Sequence, residues 1–286
     1  MITRDVDAGA VADLAVCPPR TALAATTDDE IVLLPVGVIL EEPADPALSP
    51  RIVQVPQGSP DLTDRNVAVI VDDGPQWFRL RSLTFRGMAK AAGDCIYRVV
   101  PERIVAWDYG SLREGLTRPG VSTPRQASYS VTDEQDDAAP LHSPNLEAAV
   151  RRSRVMIIAS RSREGTPFAV PLWFVPHHGR IYATTSASSW TVLNVSASPQ
   201  VALLLGGEGQ DSANRLLVRG RARAVRGTPP PAVLARIGWR YYLQPQFASV
   251  ELSHVRLWPL RMRYYRQSQA AHLVITPQTA TECRAP

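Results

Sequence analysis

Cysteine is scarce in this 286-residue chain: Cys17, Cys95 and Cys283 are the only three, odd in number and far apart. They form no CxxC pair and no disulfide framework, so the expectation is a reducing, cytoplasmic setting. Long apolar runs are missing too. The longest, Ile31 to Leu40, is about half of what a bilayer crossing needs, and Pro35 interrupts it, so no membrane span is expected. The opening MITRDVDAGAVADLAV lacks the basic-then-apolar pattern of a secretion signal. No segment is a continuous basic arm. The net charge of +4, carried almost wholly by arginine, reads first as solubility and second as affinity for small anions. Nucleic acid is not expected as a partner. The cluster Arg236, Trp239, Arg240, Tyr241 and Tyr242 is explained more simply by a helix packing its aromatics onto a sheet.

Catalytic and metal signatures are equally thin. No Ser–His–Asp order or paired-carboxylate pattern stands out, and no catalytic residue is assigned. His177 and His178 are placed in a hairpin turn, where neighbours on a strand point apart. His142 falls in a linker, and His254 and His272 are isolated, so no metal site is expected. Asp72, Asp73 and Gly74 read as a hairpin turn rather than an acid pair.

What is present is a globular composition, 45% hydrophobic and 20% charged, with 25 prolines and many short Val, Ile and Leu runs. Such a chain favours short strands and turns over long helices. The Pro-, Ser- and Thr-rich stretch from Gly115 to Asn145 has no apolar period and reads as a linker. The expected units are 1–116, a linker at 117–142, and 143–286. After the linker, Ser143 is placed as a helix cap, with Pro144 in the first helical position and Glu147 in the first turn. Strands follow at Val155–Ser160, Phe168–Val175, Ile181–Thr184, Val201–Leu205 and Leu216–Val225. A short helix is placed after Thr185, a second at Pro229–Tyr242, and a last strand at Ser253–Tyr265.

The first half repeats this order. Thr21–Thr26 matches Val155–Ser160, Pro35 stands opposite Pro171, and RGMA at Arg86–Ala89 matches RGRA at Arg219–Ala222. RVVPERIVAW, ending at Trp107, is set against VRLWPLRMRYY, ending at Tyr265. The spacing of about 135 residues is too long for a solenoid and indicates a duplicated domain. About six strands per copy imply a mainly β fold of two tandem barrels with flanking helices.

The segment from Arg154 to Leu205, with VPLWFV, GRIYATT, SPQVALLL and then RGRA, resembles the pyridoxamine 5'-phosphate oxidase-like split barrels and the related flavin/deazaflavin oxidoreductases. NVAVIVDDGPQWFRLRSLTFRGMA is similar to the later part of the same family. The resemblance implies two FMN-binding-type split barrels that mimic, within one chain, the family's homodimer. The molecule is then a monomeric pseudo-dimer or a further homodimer, acting on a small-molecule substrate. FMN is the first cofactor implied, with a deazaflavin or haem as alternatives. It also implies that Val170, Pro171, Leu172 and Trp173 line the isoalloxazine ring, and that Thr184, Thr185, Ser189, Trp190 and Thr191 form the phosphate turn. The cross-subunit contact then falls near Ser82 of the first copy or Arg215 of the second. Trp190 and Thr191 stand where the family has basic residues. A charge-assisted hydrogen bond contributes roughly 1.5–3 kcal/mol, so each loss lowers phosphate affinity on the order of 10- to 100-fold. In the first copy only PQGSPDLTDRN lies between Val55 and Val67, so its phosphate helix is expected to be truncated. The implied activity is a flavin- or deazaflavin-dependent oxidoreductase. The alternative is a non-enzymatic ligand-binding or sensor protein on a degenerate barrel.

Overall fold

The computed structural model describes residues 5–6, 8–11, 13–14, 20–39, 51–74, 80–108, 139–207, 215–243, 270–284 and 286. The first half supplies β1 (Asp5–Val6), β2 (Arg20–Thr27), β3 (Glu30–Pro35), β4 (Gly37–Ile39), β5 (Arg51–Gln54), β6 (Asn66–Asp72), β7 (Arg81–Gly93) and β8 (Ile96–Asp108). The second supplies α1 (Pro144–Arg152), β9 (Val155–Arg161), β10 (Pro167–Trp173), β11 (Val175–His177), β12 (Arg180–Ser186), α2 (Trp190–Ala197), β13 (Gln200–Gly206), β14 (Arg215–Arg226), α3 (Pro231–Ile237) and β15 (Ala270–Cys283).

The two sheets have one strand order. The first runs β3-β2-β6-β7-β8-β5-β4 with β1 added beside β8; the second runs β10-β9-β13-β14-β15-β12-β11. Register makes the correspondence residue by residue. Ala68 pairs with Ala24 and Arg86, while Ala202 pairs with Ala159 and Arg219. Arg86 and Arg219 are therefore equivalent. A bulge follows each of them, before Gly87 and before Gly220. The mainly β tandem split barrel is the observed fold.

Alternation drives both sheets. Along β14, Leu216, Val218, Gly220, Ala222 and Ala224 are buried, while Arg219, Arg221 and Arg223 take the other face. Each barrel fills its own interior, with Phe85 and Val99 in the first and Leu172, Phe174, Leu203 and Leu273 in the second. A third apolar cluster lies between the barrels. Ala22, Ala24 and Ala68 meet Ala159, Ala169 and Ala202, with Ile70, Ile157 and Leu204 around them. Small side chains let the two sheets approach closely, as at a tight subunit interface.

Several expectations change. Phe168–Val175 is not one strand: the chain breaks at Phe174, giving β10 and β11, and the first half breaks likewise at Val36. Ser143 is the cap position of α1 but makes no side-chain cap bond. The expected Pro229–Tyr242 helix begins at Pro231 and finishes as a π-helical turn over Gly238–Tyr242. The strand placed at Ser253–Tyr265 lies outside the described residues. The partner of β14 is β15, which corresponds to β8, so RVVPERIVAW is matched by AAHLVITPQTATEC. His177 closes β11 and only His178 and Gly179 form the turn. His178 has a positive φ of 48°, which swings its ring to 4.0 Å from that of His177 instead of pointing it away.

Candidate functional site

The pseudo-twofold arrangement creates two equivalent clefts, each where the opening hairpin of one barrel meets the bulged strand of the other. They are no longer alike. The first, about 450 Å³, is bordered by Asp28, Glu30, Val32 and Leu34 of the first barrel and by Leu217 and Arg219 of the second. The second, about 240 Å³, is bordered by Thr166 and Pro167 of the second barrel and by Arg86, Gly87, Glu102 and Arg103 of the first. Two differences between the barrels accompany this. Pairing of Ala24 with Leu33 and of Ala159 with Ala169 makes Phe168 the equivalent of Val32. In addition, α2 fills the connection between β12 and β13, whereas residues 55–65 of the first barrel contain no helix.

Of the residues expected to form a phosphate turn, Thr185 and Ser189 stand together at the start of α2. Ser189 is its cap, accepting from the Val192 N–H at 3.3 Å. The Thr185 hydroxyl donates to Ser189 Oγ at 3.1 Å. Thr184 and Thr185 are half-buried at the end of β12, while Thr191 is buried and takes no exposed position. Trp190 is 49% exposed and lies stacked on Phe168, with ring centroids 5.7 Å apart. Phe168 in turn carries the Arg86 guanidinium of the other barrel, 4.1 Å from its ring centre. This Trp190–Phe168–Arg86 stack was not visible from sequence spacing, because its members come from a helix start, an edge strand and the other barrel.

The strand expected to line a ring, β10, turns its apolar side chains into the protein. Val170 and Leu172 pack into the second barrel's core, and Trp173 into a small cluster with Tyr241, Val233, Leu80 and Trp107. What β10 offers outward is its backbone edge, since it ends the sheet order. Tyr241 fixes the strand's end. Its hydroxyl accepts from the Phe174 N–H at 2.8 Å and is directed at the carbonyls of Phe174 and Arg154, each 2.7 Å away. Burial pushes this phenol up to about 12, so it stays a neutral donor. Ser82 is buried on β7, on the same face as Thr84 and Arg86, and is not brought to the α2 start by any direct bond. Sequence reasoning also missed Arg86 and Arg103 as cleft residues. Among the described residues, no group of three or more His, Cys, Asp or Glu side chains could hold a metal, and no helix is long and apolar enough to cross a membrane.

These features define a tandem split-barrel protein whose clefts lie between its two barrels. Residues 143–267 match the family model described as pyridoxamine 5'-phosphate oxidase. The match falls in the second half, and the first half repeats the strand order of the sheet that it covers. Similar solved structures include an F420 reductase, at 20% identity over 47% of this chain and 94% of that one, TM-score 0.35. A putative pyridoxamine 5'-phosphate oxidase from Listeria innocua is 14% identical over 48% and 94%, TM-score 0.33. The haem storage protein HutZ from Vibrio cholerae is 16% identical over 50% and 96%, TM-score 0.35. A comparison with curated protein sequences gave no match.

Proposed function

We propose that the protein is a flavin- or deazaflavin-dependent oxidoreductase acting on a small molecule, with FMN first among its cofactors and the barrels at 1–116 and 143–286 forming the pseudo-dimer. The observation that carries this reading is the hydroxyl-lined start of α2, where Thr185 and Ser189 stand beside an edge strand in a pyridoxamine 5'-phosphate oxidase-like domain. Amide N–H groups and hydroxyls at a helix start suit a phosphate. The backbone edge of β10 suits the polar rim of a planar ring. Bound flavin or deazaflavin supplies the hydride chemistry, so the chain's part is to bind, orient and exclude water, and no side-chain acid or base is required of it.

A second reading has its own observation. Trp190 stands where the resemblance implies a basic residue, and it rests on Phe168. This favours a ligand-binding or sensor protein without turnover.

Absorption spectra of the purified protein, before and after addition of FMN, a deazaflavin and haem, test the proposal. Flavin or deazaflavin bands together with turnover support the oxidoreductase. Binding without turnover selects the second reading. A Soret band alone moves the cofactor to haem, and a colourless protein that binds none of the three sinks the oxidoreductase.

A further inference from the structure

The pseudo-twofold provides an internal control on charge. In the larger cleft, Arg219 is paired with Glu30 at 3.3 Å, and across β15 it faces Thr279. Its equivalent in the smaller cleft is Arg86. There the position of Glu30 is taken by Thr166, and the position of Thr279 by Arg103, which faces Arg86 across β8. The exchange removes the Glu30 carboxylate and adds the Arg103 guanidinium, while at the bulge Glu102 stands where the other barrel has Gln278. Among the described residues, neither Arg86 nor Arg103 has an ion pair, and Arg86 Nε is buried without a hydrogen-bond partner. Glu102, the exposed bulge residue, borders the same cleft and pairs with neither arginine. Burial, and then Arg103, push the Arg86 guanidinium down from its ordinary value, which is the signature of positive charge held together without a counter-ion.

We infer that the smaller cleft is an oxyanion site, in which Arg86 and Arg103 of the first barrel and the Thr166 hydroxyl of the second hold the phosphate or carboxylate of a small anionic substrate. Arg86 is the anchor. Its planar guanidinium is fixed by Phe168 on one face and keeps its edge for bidentate contact, which favours oxyanion recognition over a point charge. The cations come from the other barrel and stand across the Phe168–Trp190 stack from the α2 start. Calling the ligand a substrate rests on the oxidoreductase reading; the anion site itself does not.

Calorimetric titration with pyrophosphate at low ionic strength tests the site, using the full chain. Wild type is expected to bind, and Arg86→Gln and Arg103→Gln each to lose on the order of 10- to 100-fold in affinity. Arg219→Gln, the equivalent change in the other cleft, is expected to leave binding unaltered. Arg103 is exposed, so its variant folds even if the Arg86 variant does not. Absence of binding to wild type overturns the inference, as does equal loss in Arg219→Gln, or loss in Ser189→Ala but not in the arginine variants. The cofactor spectra are read separately. Pyrophosphate binding that depends on Arg86 without flavin or deazaflavin bands removes the oxidoreductase and keeps the site; the reverse pattern removes only the site.

Discussion

Arg20 and Asp72 form a fully buried ion pair, Nη2 to Oδ1 at 2.8 Å, at the end of the junction between the barrels. The same guanidinium crosses the junction to the carbonyls of Val155, at 3.1 Å, and Gly206, at 3.3 Å. Arg215 returns the contact to the Thr21 carbonyl at 3.2 Å. Burial raises the Asp72 carboxyl, while Arg20 and the Gly74 N–H oppose it. Removing one partner leaves a charge buried without compensation, so Arg20→Ala or Asp72→Asn is expected to destabilise by about 3–5 kcal/mol. Urea unfolding checks this. The double variant should lose clearly less than the sum of the singles, because the two act as one unit.

The bulge glycines make a graded prediction. A Cβ on Gly87 would stand 1.8 Å from the Val100 carbonyl oxygen, and one on Gly220 would stand 2.5 Å from that of Thr276. Both obstacles are backbone, which cannot rotate away. Overpacking of this kind costs about 1–3 kcal/mol. Gly87→Ala should fall at or above the top of that range and Gly220→Ala below it, read as shifts in denaturation midpoint.

The duplication was legible because alternation and the RGMA and RGRA pairs survive in both halves, and a bulge with a buried glycine leaves a local mark. The partner of β14, β15, was not read as a strand, although the run His272–Thr276 was its signal. Of the site, Thr185 and Ser189 were legible as a helix start. Trp173 and Leu172 were legible as a strand but not as core, since an apolar strand looks the same whether it lines a ligand or a barrel. Arg20, Asp72, Arg86 and Arg103 could not be read at all as partners. Each acts across a junction between barrels, and no local period encodes such a contact.

Tyr241 gives a pH prediction. Its folded value, about 12, lies above the ordinary phenol value of about 10, so the native state holds a proton that the unfolded state releases. Its contribution is therefore complete below about pH 10 and declines as the pH rises towards 12. Tyr241→Phe leaves the buried Phe174 N–H without its acceptor and should cost about 1–3 kcal/mol at neutral pH. The gap between wild type and variant should shrink above pH 10 in unfolding curves; a constant gap would show that the phenol is not protected.

Trp190 offers the sharpest reading of the α2 start. It is half exposed and stacks on Phe168, so Trp190→Lys should cost about 1–2 kcal/mol, from the lost ring pair and an ammonium at a helix start. At a helix start already lined by Thr185 and Ser189, a new ammonium adds a charge-assisted contact for a phosphate. FMN affinity should then rise on the order of tenfold, while riboflavin, which has no phosphate, gains nothing from the charge. Removing the indole also opens the cleft, and that effect would help both ligands equally. The ratio of the two affinities therefore isolates the charge. A ratio unchanged by Trp190→Lys would mean that the hydroxyl-lined helix start does not receive the phosphate, and that the Trp190–Phe168 stack belongs to the folded core of the junction.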